Sequence, residues 1–197
     1  MDARADAAEL TGERIVDAML ARFESTPYER IRLEDIASDA AVTSQTVIRR
    51  FGGKPGLMVA TVQREMGRIM AAREAAADAP PAETLHALVQ HYERYGRLIL
   101  KTYAEAPLVP GLPELVTTAR AYHVQWCRQA FADDLDVVGA AAGTTGDGVR
   151  QRRLAQIVAI CDATTWRILR DDGGLDPERT EQALAELLMP MLRPGRA

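Results

Sequence analysis

The 197-residue sequence predicts an all-α fold, and three observations carry that prediction. Alanine and arginine supply 33 and 22 residues, and both rank high in helix propensity. Apolar residues recur at three- and four-residue steps along most of the chain, the period of a helix buried on one face. No stretch alternates with period two for long enough to form a sheet. With 47% apolar residues, a chain of this length can build a core without disulfide or metal staples.

Residues 1–10 are polar and alanine-rich and are expected to be a flexible N-terminus. From Thr11, a candidate N-cap, Ile15, Met19 and Phe23 recur at four-residue steps until Pro27 stops the helix. Two short segments follow, Leu33 to Ala40 and Gln45 to Phe51, joined by Val42-Thr43-Ser44. Gly52-Gly53 ends the second, and Pro55 opens a long helix to about residue 77. Pro80-Pro81 breaks it. A helix over 82–105 carries Leu85, Leu88, Tyr92, Tyr95 and Ile99, and Pro107 to Pro113 marks a loop. Helices are then predicted over 114–134, 149–171 and 177–189, with a small-residue loop from Gly139 to Gly148.

Composition excludes several classes. No run approaches the roughly 18 apolar residues of a membrane span, and the N-terminus lacks the blocks of a signal peptide. Cys127 and Cys161 are no disulfide framework and read as reduced thiols, which together with the missing export signal implies a cytoplasmic protein without membrane partners. Gly143 to Gly148 is glycine-rich but lacks the lysine and the preceding strand of a phosphate-binding loop. No catalytic arrangement is legible, so no enzyme activity and no cofactor are expected. His123 and Cys127, at i and i+4, lack further ligands and are expected to pack rather than bind metal. His86 and His91 are five apart and point about 140° apart around a helix, so they form no ligand pair.

The two short segments form a helix-turn-helix candidate. Ile36, Ala37, Ala40, Val42, Val47 and Phe51 fit its apolar side, leaving the outward positions of the second segment free. Thr43 or Ser44 can cap that helix, whose free N–H groups suit a phosphate oxygen. Gln45, Thr46 and Arg49 face outward; glutamine can pair with adenine and arginine with guanine. Arg50 and Lys54 flank them as phosphate clamps. The net charge of −4 argues against a generally basic coat, yet residues 41–64 hold Arg49, Arg50, Lys54 and Arg64 and no acid. That is the local basic footprint of a single DNA-reading head on an acidic body.

Ile15 to Phe23, Leu33-Glu-Asp-Ile-Ala37, Val42-Thr-Ser-Gln-Thr-Val47 and Arg50-Phe-Gly-Gly-Lys-Pro-Gly-Leu57 resemble the tetracycline-repressor (TetR) family of bacterial transcription regulators, in the order and spacing of its whole N-terminal motif. Asp162 to Arg170 and Gly174-Leu175 resemble a C-terminal segment of actinobacterial members. The chain departs from the family where Ile48 stands for a tyrosine that commonly touches phosphate. Pro27 and Ala41 replace glycines. Arg32 replaces a threonine cap and could reach a phosphate itself.

The resemblance implies a helix-turn-helix DNA-binding domain over 11–57 and a helical ligand-binding and dimerisation domain over 58–197. It implies a homodimer joined through the last two helices, binding a near-palindromic double-stranded DNA operator. It further implies a small, largely apolar effector whose binding shifts the fourth helix and releases DNA. Met66, Met70, Leu88, Tyr92, Tyr95, Ile99, Tyr122, Trp126 and Trp166 supply the side chains of such a pocket; each could equally fill the core. Two alternatives stand beside this reading. One is a helical ligand-binding or enzyme domain with a disused helix-turn-helix. The other is a constitutive DNA-binding dimer without effector.

Overall fold

A computed structural model describes residues 3–135 and 146–192. Among these residues the secondary structure is entirely helical, and no helix is long and apolar enough to cross a membrane. The chain divides into two compact units, residues 1–68 with 101–117, and residues 69–100 with 118–197.

In the first unit, α1 runs Ala3–Ser25, α2 Leu33–Asp39 and α3 Ser44–Phe51. Helix α1 begins eight residues before the expected cap. Thr11 is a mid-helix residue whose hydroxyl donates to the Ala7 carbonyl at 2.8 Å, so it caps nothing. Alanine-rich sequence propagates a helix past a weak stop signal. Ile15, Met19, Phe23, Ile36 and Val47 are all fully buried, and α2 packs against both α1 and α3. A 3-10 turn, Tyr28–Arg30, follows Pro27.

Helix α4, Lys54–Glu74, starts in this unit, whose first segment runs to residue 68. Leu57, Met58 and Thr61 on its first turns are buried. The end of α5 (Pro81–Glu105) braces the same unit: Glu105 accepts from the Tyr28 N–H at 2.6 Å and from Lys101 at 2.7 Å.

The second unit holds the remainder of α4 and α5, most of α6 (Leu112–Ala130), and then α7 (Gly146–Ile160), α8 (Ala163–Arg167) and α9 (Pro177–Leu188). The single helix expected over 149–171 is broken at Cys161–Asp162. Asp162 is extended, and its carboxylate accepts from the Thr164 N–H at 2.7 Å, a cap that starts a new helix. A π turn, Ile168–Asp172, continues α8. Asp176 caps α9 with Pro177 at its first position, and α9 packs on α7 and the π turn. The small-residue loop expected at 139–148 lies mostly outside the described residues, and 146–148 open α7. Leu88, Trp126, Phe131, Ile157, Trp166 and Leu184 belong to the buried core of this unit.

Candidate nucleic-acid interface

Helix α3 is held by caps at both ends. Thr43, not Ser44, is the N-cap: its hydroxyl oxygen accepts from the Thr46 N–H at 3.2 Å. Gly52 closes the helix with a φ of 76°, a left-handed conformation that glycine adopts without strain. The turn between α2 and α3 also needs a left-handed residue, and there the chain places Ala41, at φ 53°. With Val47 fully buried, Gln45, Ile48 and Arg49 are left exposed. Gln45 and Arg49 have no hydrogen-bond or ion-pair partner among the described residues. Thr46 and Ser44 are half-buried, and Thr43 is exposed.

The flanking cations make internal contacts. Lys54 is half-buried, and its ammonium donates to the carbonyls of Tyr28 at 3.0 Å and Ile31 at 2.9 Å, over the Tyr28 ring at 4.3 Å. Two of its three protons are thereby spent on the chain between α1 and α2. Arg50 turns back to the Ala8 carbonyl, 2.7 Å away. Arg64 pairs with Asp17 at 2.7 Å and with Glu65 at 2.9 Å. Of the four cations in the acid-free window, only Arg49 keeps its whole guanidinium for an external partner. Arg32 stands at the N-cap position of α2 with its side chain 72% exposed, 3.8 Å from Glu34. Carbonyl partners more than twenty residues away leave no signal in local sequence, so these internal contacts could not be read from spacing.

Most of the candidate pocket residues lie in or against the core of the second unit. Met66 belongs to the first unit. Leu88, Tyr92, Trp126 and Trp166 are core, each 3% exposed or less. Their polar groups are satisfied internally: Tyr92 donates to the Cys161 carbonyl at 2.7 Å, Trp126 to the Arg73 carbonyl at 3.1 Å and Trp166 to Glu93 at 2.9 Å. Ile99 and Tyr122 pack partly buried against that core. The Tyr122 hydroxyl donates to the carbonyl of half-buried Met70 at 3.1 Å. Tyr95 is half-exposed beside His91, ring centres 5.2 Å apart. A groove of about 620 Å³ lies between α5 and α9, lined by Leu85, His86, Glu178, Glu181 and Met189 among others. Helical periodicity marks a residue as inward-facing but does not separate a filled interior from a hollow one.

The His123–Cys127 pair belongs to a buried polar cluster. Arg73, 6% exposed, stacks over Trp126 at 4.1 Å and donates to Nδ1 of His123 at 3.3 Å. With Nδ1 accepting, the His123 Nε2–H donates to the Val158 carbonyl at 3.2 Å, 3.8 Å from the Cys127 sulfur. Interaction with the neighbouring Cys161 thiol, and then with His123, lowers the pKa of the Cys127 thiol, while the same pairing and burial raise that of Cys161. Among the described residues no group of three or more such side chains is arranged to hold a metal.

No family model matches the sequence, and none of the curated proteins does. The solved structures do match, over nearly whole chains. A TetR/AcrR-family transcriptional regulator from Aquifex aeolicus is 15% identical, with a TM-score of 0.60, over 92% of this chain and 99% of its own. The chain has the TetR-regulator fold. NalD, the secondary repressor of a multidrug efflux pump in Pseudomonas aeruginosa, is 18% identical, with a TM-score of 0.63, over 96% and 99%. A Saccharomonospora viridis protein solved in complex with choline is 17% identical, with a TM-score of 0.63, over 94% and 97%. In the TetR-regulator fold of this chain, the helix-turn-helix is the pair α2 and α3.

Proposed function

We propose that this chain is a TetR-family DNA-binding transcriptional regulator, a ligand-responsive repressor that binds a near-palindromic operator as a homodimer and catalyses no reaction. The observation that carries the reading is α3 itself: capped at both ends, it leaves Gln45 and Arg49 side by side, exposed and without partners among the described residues. Such side chains suit bidentate contacts to adenine and guanine. Thr43, Ser44 and Thr46 at the helix start, with Arg32, supply the neighbouring phosphate contacts. The first unit is the reading head. The second pairs two subunits through the last helices, α7 with α8 and its π turn, and α9, where Ile168 of the π turn and Leu187 of α9 are 47% and 50% exposed.

Gel-shift titration on a duplex selected from random DNA tests the assignment. Arg49→Ala and Gln45→Ala each relax discrimination at one base position by about 1–3 kcal/mol. Full affinity and unchanged base preference in both variants would contradict it.

A second reading, a constitutive DNA-binding dimer without effector, is favoured by one observation: Tyr92, Trp126 and Trp166 are packed core with their polar groups spent. Small apolar molecules that release the operator from the full chain support the first reading. Release by none of a broad panel supports the second.

A further inference from the structure

We propose that Ile48 is a specificity-determining residue that reads the 5-methyl group of a thymine in each operator half-site. The inference rests on α3 being the DNA-reading helix. Ile48 is 44% exposed, while the other exposed side chains of that helix, Gln45, Arg49 and Arg50, are polar or charged. The helix buries its other β-branched aliphatic, Val47, completely. At about 100° per residue, Ile48 lies about 60° from Gln45, which in turn lies about 40° from Arg49. The three side chains therefore make one continuous face. Arg50, on the other side of the helix, is drawn back to Ala8.

Isoleucine has neither donor nor acceptor, so it adds nothing to a phosphate or to a polar base edge. The thymine methyl is the one apolar group that a base presents in the major groove, and contact with it is how aliphatic side chains discriminate there. That contact also removes from water the apolar surface that the free protein leaves exposed. An apolar shoulder next to a glutamine and an arginine completes a reading surface of three chemistries.

The test uses the full-length protein and a duplex selected from random DNA. Each thymine of a half-site is replaced in turn by deoxyuridine, which deletes the methyl and keeps the base pair. The wild-type protein loses about fourfold in affinity at one such position per half-site, the worth of one buried methyl. Ile48→Ala binds the thymine and uracil duplexes alike, yet still rejects substitutions at the bases read by Gln45 and Arg49. Ile48→Val keeps most of the methyl preference. A wild-type protein indifferent to uracil at every position overturns the inference alone, as does an Ile48→Ala variant with an undiminished uracil penalty. Failure to select any site overturns it together with the assignment of α3.

Discussion

Arg50 lies across the bare Cα of Gly12. A Cβ at residue 12 would stand 2.2 Å from Nη2 of Arg50, and Nη1 of the same guanidinium donates to the Ala8 carbonyl at 2.7 Å. The third helix is fastened to the first by a side chain that its position alone would assign to DNA.

Gly12→Ala displaces that guanidinium, because the end of a flexible side chain yields before backbone does. Alanine is favoured by about 1 kcal/mol over glycine within a helix, which offsets much of the loss of an exposed hydrogen bond. Thermal unfolding is therefore expected to shift little. The released charge can reach a phosphate, steepening the plot of log affinity against log salt by about 0.9 for each phosphate it neutralises. Binding titrations across a salt series read this directly. An unchanged slope with an intact fold means that Arg50 was never withheld.

Ala41→Gly stabilises the first unit. Ala41 holds a φ of 53°, where a Cβ costs about 1–2 kcal/mol and glycine none. Part of that stabilisation is lost to the freer unfolded chain, leaving about 1 kcal/mol. A urea midpoint that stays put or falls contradicts a strained turn.

Lys54→Met keeps the apolar stem and removes the ammonium that ties the Tyr28 and Ile31 carbonyls. Hydrogen bonds from a charged donor are worth about 1.5–3 kcal/mol, so the urea midpoint falls. The salt slope of DNA binding stays where it was, because the missing charge acted inward. A slope flattened by about 0.9 per subunit would instead make Lys54 a phosphate ligand.

His91 makes stability pH-dependent. It is 7% exposed, with both ring nitrogens buried and without a hydrogen-bond partner among the described residues. Burial foremost, then the charges of Arg73 and His123, lower its pKa to about 3. The unfolded chain titrates near 6.5 and binds the proton first. Stability is therefore full above pH 6.5 and falls as the pH drops from there towards 3, by at most about 1.4 kcal/mol per pH unit. His91→Leu removes that slope. Urea unfolding between pH 6.5 and 5 is expected to be flatter in the variant than in the wild type, and equal slopes would refute a buried neutral imidazole.

The helices and the helix-turn-helix are legible in the sequence, because both are local patterns. The spacing of Ile36, Ala37 and Val47 marks the inner face of the helix-turn-helix, and Thr43 and Gly52 mark the ends of α3. The partners of long cations are not legible, since Lys54 and Arg50 end on carbonyls 23 to 42 residues away. Nor is the break at Asp162, which sits inside an unbroken apolar period and acts through a cap rather than through a proline or glycine. Tyr92 and Trp126 face inward as expected, but their spent polar groups are a property of neighbours drawn from distant helices.

Selection of bound sequences from random duplexes by the full-length protein decides whether α3 reads DNA. One enriched near-palindrome is expected, with half-sites about one helical turn, 34–36 Å, or a multiple of it apart. In Arg49→Ala the enriched near-palindrome loses its preference at one base position of each half-site. An unenriched pool, with the protein folded and binding all duplexes equally weakly, would contradict the assignment of α3 as a DNA-reading helix.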